Sequence, residues 1–209
     1  MKKILSALAM LLLALSAYAD GTILFSTAQG GIDVAPYRIP GITCGYGGRL
    51  IASVGRLVCG TDPGFGRVDC VVKISTDNGA TWSECEIEAA VGDASLINNV
   101  KTPMAAAYGD PAIVMDRESH EVLMMAVAGC TVYGYASTNR HNPNLIAAIR
   151  SMDGGLTWQQ PIEQTEAIYG LFDQTHPMDA AFVGGGKIFQ SRVVKVGRYY
   201  RIYAALTAR

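Results

Sequence analysis

Beyond its first nineteen residues the chain carries no sustained helical period. Short runs rich in Val, Ile, Tyr and Thr alternate with clusters of Gly, Asn and Asp, the pattern of many short strands joined by turns. Taken in order, the apolar runs fall into comparable series. The first holds Ile39–Cys44, Arg49–Gly55, Val68–Ser75 and Thr81–Ile87; the second holds Ala112–Asp116, Val122–Ala128, Leu145–Ser151 and Thr157–Ile162. A third begins with Lys187–Lys195 and, after the turn Val196-Gly197-Arg198, continues with Tyr199–Leu206.

One octad punctuates the first two series. Ser75-Thr76-Asp77-Asn78-Gly79-Ala80-Thr81-Trp82 recurs as Ser151-Met152-Asp153-Gly154-Gly155-Leu156-Thr157-Trp158, and a repeat at fixed register governs the reading of the fold. Each copy falls between the third and fourth runs of its series. There the side chains of Ser75, Asp77, Ser151 and Asp153 can bond turn amides, Gly79 and Gly155 supply a left-handed position, and Trp82 and Trp158 pack under the hairpin. A fixed place inside a turn gives Asp77 and Asp153 a structural role and no catalytic one. Four antiparallel strands per unit, repeated, make the blade of a β-propeller. The third unit has only its first two strands, and a third octad is due where the sequence stops. The expectation is an all-β domain over residues 20–209 with about two and a half blades of a propeller, from a truncated or partial coding sequence.

The leader changes the setting. Lys2 and Lys3, the apolar stretch Ile4–Ser16 and Ala17-Tyr18-Ala19 before Asp20 make residues 1–19 a signal peptide. The apolar stretch is shorter than the ~20 residues a bilayer crossing requires, so the expected product is exported, periplasmic or secreted, with a bacterial type of leader and no membrane span after cleavage. With 17 basic and 18 acidic residues, no basic stripe points to nucleic acid and no charge block to a tail. The five cysteines, Cys44, Cys59, Cys70, Cys85 and Cys130, match no zinc spacing, and no metal is expected. Cys44 and Cys70 lie in apolar runs and read as buried small hydrophobes; a Cys59–Cys70 or Cys44–Cys59 bridge stays open.

Tyr37-Arg38-Ile39-Pro40 stands at the head of the first unit, ahead of both octads. Together these elements resemble the sialidase (neuraminidase) family, with its Y/F-R-I-P signature followed by repeated Asp boxes, from about Gly21 to the end of the chain. The resemblance implies a six-bladed propeller that hydrolyses terminal sialic acids from glycans with retention of configuration and no cofactor. Sialic acid bears a carboxylate on its anomeric carbon, and a planar guanidinium binds such an anion bidentately. The resemblance makes Arg38 the first of three clamp arginines and Arg56 an arginine that helps hold a ring hydroxyl. It makes Asp62, in Gly60-Thr61-Asp62-Pro63-Gly64, the general acid on a mobile loop, a role that needs a raised pKa. Asp69, on an expected strand, is the second candidate. Asp110, in Tyr108-Gly109-Asp110-Pro111 at the opening of the second unit, matches a carboxylate that faces the sugar and shares a hydroxyl with Arg56; a plain Asp-Pro turn is the other reading. Gln190 and Arg192 reach toward the centre on the first strand of the third unit, where a structural role suits them better.

The family's tyrosine nucleophile, which avoids repulsion from the substrate carboxylate, belongs to later blades, as do its activating glutamate and the other two clamp arginines. Tyr199, Tyr200 and Tyr203 stand too early in the fold for that role. The implied partners are sialylated glycans of glycoproteins, mucin or gangliosides. The competing reading is a non-catalytic Asp-box propeller that binds sialoglycans or serves in assembly. A glycosidase for neutral sugars is disfavoured by Arg38, since such sugars give no anion to clamp.

Overall fold

The computed structural model describes residues 21–26, 37–58, 66–97 and 102–209. The leader assigned to residues 1–19, Cys59 and the candidate acid Asp62 lie outside them. Unit one is an antiparallel sheet in chain order: β1 (Tyr37–Cys44), β2 (Leu50–Leu57), β3 (Val68–Ser75) and β4 (Ile87–Ala90). Unit two repeats it with β5 (Tyr108–Met115), β6 (Val122–Ala128), β7 (Leu145–Ser151) and β8 (Ile162–Glu163). The short helix α1 (Thr165–Tyr169) and β9 (Ala181–Val183) follow, and β10 (Gly186–Lys187) then joins the free edge of β5 in parallel. β11 (Phe189–Val196) and β12 (Tyr199–Tyr203) form a separate hairpin, and β13 (Leu206–Ala208) returns to pair with β9.

Strand alternation builds the core. Successive strand residues face opposite ways, and unit two is apolar on both sides. Ile113, Met115, Met124, Ala147 and Ile149 pack with Ile51, Cys70, Val72 and Ile74 of unit one. Their neighbours Ala112, Val114, Met125 and Ile146 pack on the opposite side with Tyr169, Met178, Val183 and Ile188. Polar ties reinforce the first interface. The Met115 amide donates to Thr43 Oγ1 at 3.0 Å, and Arg49 Nη1 donates to the carbonyls of Asp153 and Gly154 at 3.3 and 3.1 Å. The hairpin of unit three is held differently, by polar straps: Gln190 Nε2 to Asp116 (2.6 Å), Lys195 to Glu118 (3.0 Å) and Tyr199 to Glu121 (2.6 Å). Between it and unit two lies a cleft of about 660 Å³ floored by Val114, Leu123 and Met125, and Val193 is 84% exposed.

Both octads fold alike. Ser75 Oγ accepts from the Gly79 amide at 2.8 Å, and Asp77 accepts from the Thr81 amide and hydroxyl at 2.8 and 2.7 Å. Ser151 and Asp153 repeat this with Gly155 and Thr157, at 2.8, 2.9 and 2.5 Å. Trp82 and Trp158 donate to the carbonyls of Gly79 and Gly155 at 3.1 and 3.0 Å. Gly79 and Gly155 have φ of 88° and 93°, which favours glycine. These bonds explain a correction to the strand limits. Thr81–Ile87 and Thr157–Ile162 are not strands along their length, because the tail of each octad is spent on the turn; pairing resumes only at Ile87 and Ile162. Conversely β5 begins at Tyr108, so Asp110 lies within the strand. The third unit is also recast: Lys187 belongs to β10, and Leu206 to a strand paired with β9. Cys70 is buried, as expected, with its thiol donating to the Tyr108 carbonyl at 3.4 Å, but Cys44 is exposed at the far end of β1.

Hydrogen bonds from the Thr81 hydroxyl, then from its amide and from Ser75, hold the Asp77 carboxyl down at about 2. An unfolded Asp titrates near about 3.9, so this contribution is whole above that value and is lost as pH falls toward about 2. Ser151→Ala, which strands the buried Gly155 amide, is expected to destabilise the chain by about 1–3 kcal/mol, read from urea denaturation midpoints. Asp77→Asn should lower stability at neutral pH and make the acid limb shallower between about pH 4 and about pH 2, where the wild type loses this contribution.

Candidate functional site

The rim at the start of β1 gathers most of the candidate residues, and register decides which of them meet. Tyr37 pairs with Arg56, which pairs with Asp69; Arg38 pairs with Gly55, which pairs with Cys70. Adjacent residues of a strand face opposite sides, so two rows form on opposite faces of one sheet.

The Arg38 row faces unit two. The position of a Cβ on Gly55 lies 3.7 Å from the Arg38 carbonyl oxygen and 3.8 Å from the Asp110 amide, so the two inner strands lie in contact across Gly55. Burial pushes the Asp110 carboxyl up, and the Arg38 guanidinium pulls it partly back. Both strands break register at the same place, between Arg38 and Gly41 in β1 and between Gly109 and Ala112 in β5. Each bulge holds a residue before proline in left-handed backbone, Ile39 at φ 52° and Asp110 at φ 50°. Such a φ is a steric outlier for a β-branched residue, and strained bulges cluster where side chains are re-aimed for function. Asp110 is therefore part of a strained bulge, and the plain-turn reading does not describe it.

The Arg56 row faces the other way, and Arg56 is not brought to Asp110. Its guanidinium donates to Asp69 (2.8 Å), Glu88 (2.8 Å) and Glu86 (3.1 Å). Asp69 is fully buried and also accepts from Arg67 Nε and Nη2 (2.9 and 3.0 Å) and from the Gly92 amide (2.9 Å). Burial alone would raise this carboxyl, but the bonds from Arg67, Arg56 and Gly92 prevail and hold it below the usual range. A group fixed in its ionised form cannot serve as a general acid near neutral pH, so Asp69 drops out as second candidate. Tyr37 donates to Glu86 at 2.5 Å; burial, then that bond, push its phenol up to about 12. A Tyr–Glu pair thus exists here, yet it is tuned against phenolate formation and lies on the face away from Arg38.

The remaining candidates are structural. Gln190 ties the β5–β6 turn to β11 through Asp116 and Arg117, and Arg192 is exposed on β11. The octad residues form the two turns described above. Sequence reasoning missed Arg67, Glu86 and Glu88; the signal for Arg67 was its spacing of two from Asp69, which places both on one face of a strand. No group of His, Cys, Asp and Glu suited to a metal ion occurs among the described residues, nor any helix long and apolar enough to cross a membrane.

Comparison with known proteins places these features in a sialidase setting. No family model matches the chain. A sialidase of Micromonospora viridifaciens is 32% identical over 129 residues, which is 58% of this chain and 18% of that protein. Among solved structures, the Hadza microbial sialidase Hz136 is similar at 26% identity and a TM-score of 0.58, over 75% of this chain and 30% of that one. The intramolecular trans-sialidase of Ruminococcus gnavus, complexed with oseltamivir carboxylate, has a TM-score of 0.60 at 16% identity, over 90% of this chain and 60% of that one. The chain is thus all-β, built of several antiparallel sheets, and has a sialidase-like fold resembling sialidase β-propeller domains. It spans about a fifth of the curated relative's length.

Asp69→Ala would take from Arg56 and Arg67 the fully buried carboxylate they share, leaving Arg56 with Glu86 and Glu88. The expected cost is about 3–5 kcal/mol, measured by chemical denaturation. Since its carboxyl is held low, the contribution of Asp69 is present above the ordinary Asp pKa and is lost as pH falls below it. An Asp69→Ala chain as stable as the wild type would show that the cage is solvated and unimportant.

Proposed function

We propose that the chain is the N-terminal portion of an exported bacterial exo-α-sialidase, which hydrolyses terminal sialic acids of glycoproteins, mucin or gangliosides with retention of configuration. The observation that carries this reading is Arg38 set beside the half-buried Asp110 on two inner strands bulged at the same place. A fixed cation next to a desolvated carboxylate suits a sugar that presents an anion and hydroxyls together. In this reading Arg38 binds the substrate carboxylate and Asp110 accepts from a ring hydroxyl. Asp62 protonates the leaving glycosidic oxygen and later takes a proton from the attacking water. The nucleophilic tyrosine, its glutamate and two further arginines belong to segments beyond the third unit, so the polypeptide of 209 residues is inactive by itself. No cofactor takes part.

Arg56 is assigned a changed role. Its cage of Asp69, Glu86 and Glu88 makes it a support of the rim, and Asp110 holds its hydroxyl without it. The competing reading, a sialoglycan-binding or assembly module without catalysis, requires the same Arg38 and differs in outcome: sialic acid is bound and never released from a glycoside.

The chain alone is expected to release no fluorophore from a fluorogenic sialoside. A longer form carrying the remaining segments is expected to turn it over, and Arg38→Ala in that form should lower kcat/KM by about 10²-fold or more, the usual consequence of removing one partner of a desolvated charge pair. Clear turnover by the chain alone would refute the division of the site, and binding without turnover by the longer form would select the module.

A further inference from the structure

The two bulges that present Arg38 and Asp110 are buttressed by one stretch of backbone from the start of the third unit. Gly184-Gly185-Gly186 leads into β10, which pairs with Ala112 and Ile113 directly after the second bulge. The same stretch presses on the first bulge. A Cβ on Gly185 would overlap Ile39 Cγ2, and a Cβ on Gly41 would overlap the carbonyl oxygen of Gly186. The Cβ position of Gly185 also lies 3.9 Å from the Asp110 carbonyl oxygen, and a Cβ on Gly186 would lie 3.3 Å from the Pro40 carbonyl oxygen. Gly186 has φ 99°, which side chains rarely adopt. One strap of glycine backbone therefore rests on both residues whose own φ is strained.

Strained backbone persists only where its surroundings over-determine it. Backbone pairing holds β1 on its β2 side, through Arg38 with Gly55 and Gly41 with Ser53, but Ile39 and Pro40 between them have no ladder partner. The side chain of Ile39 is what the strap touches. Arg38 is its immediate neighbour, so the seat of Ile39 sets where the Arg38 backbone begins its turn toward unit two.

We propose that Gly185 is a positioning residue: by packing its bare backbone on Ile39 it locks the first bulge and thereby holds Arg38 in place beside Asp110. The third unit then helps to set the geometry of a pair formed by the first two. The functional meaning rests on the sialidase reading; the geometry does not.

Asp110 supplies the readout. Arg38 from β1 and the buried Cys70 thiol from β3 are the titratable groups coupled to it, and Arg38 is the one that holds its midpoint down against burial. The experiment is a carbon-13 NMR titration of the Asp110 carboxyl in the chain itself, comparing wild type, Gly185→Ala, Ile39→Ala and the double variant. Displacing Arg38 in either single variant is expected to raise the Asp110 midpoint by about half a pH unit or more, roughly a threefold tighter hold on the proton. In the double variant the loss of the Ile39 branch makes room for the new methyl, and the midpoint should return to the wild-type value, a coupling of opposite sign to the single effects. Far-UV circular dichroism checks that each variant is folded.

A midpoint unchanged in the folded single variants overturns the proposal, and so does a shift that the double variant fails to reverse. If Gly185→Ala does not fold, Ile39→Ala against the double variant decides, and a double variant that does not fold where Ile39→Ala does also overturns it. Because proton affinity is read instead of turnover, an absence of sialidase activity in the longer form would refute the proposed function and leave this result standing.

Discussion

The sheet of unit two has no polar side to turn to water, and that constraint organises the rest. Ile113, Met115, Met124 and Ile149 on one face and Ala112, Val114, Met125 and Ile146 on the other are each buried. A sheet of this kind is stable only when covered twice. Unit one covers the first face with Ile51, Val72 and Ile74, and the strands and helix after β8 cover the second. Face-to-face stacking leaves the strand ends as the place where polar groups can converge. The octads occupy one set of ends, where they need only close a turn. The opposite ends carry Arg38, Asp110 and the Arg56 cage, and there the backbone departs from regular pairing.

Three aspartates show how much environment decides at these ends. Asp77 lies in water and is acidified by donors from its own turn, Thr81 and Ser75. Asp69 is buried, yet it stays acidic because Arg67, Arg56 and the Gly92 amide saturate its oxygens. Asp110 is half-buried with only the charge of Arg38 in its favour, and it is pushed the other way. The same side chain is thus a staple, a cage anchor and a half-desolvated carboxylate in turn. Only in the third is desolvation left without full compensation, which is what perturbs a pKa upward.

The architecture was legible because it rests on local chemistry repeated at fixed spacing. The octads and the alternating apolar runs located six of the eight strands of units one and two closely, and the charge that Asp110 feels is that of Arg38, a pairing the sequence did not suggest. What was misread depended on information that alternation along a single run does not carry. The fourth strands were placed too early because Thr81 and Thr157 suit a strand by type but are consumed by the turn. β9, α1 and β13 were missed because they are short and owe their place to the second face of unit two. Arg56 was joined to Asp110 through a resemblance of position, whereas the register of β2 with β1 and β3 puts it on the face with Tyr37 and Asp69. The signal was latent in the sequence: Arg56 follows Gly55, and in a strand neighbours diverge.

Gly55 marks where the Arg38 row meets unit two. Its Cβ position stands at ordinary contact distance from the Arg38 carbonyl and the Asp110 amide, so the two inner strands meet there. Both strands bulge at the residue before a proline, so Ile39 and Asp110 leave the regular ladder while Arg38 stays paired with Gly55. A residue in strained backbone is held only by what surrounds it. Three strands supply that support: β2 pairs with Arg38, β5 carries Asp110, and the glycines at the start of β10 bear on Ile39 and Asp110. The pair is consequently a property of three units acting together, which is why no motif within one of them describes it.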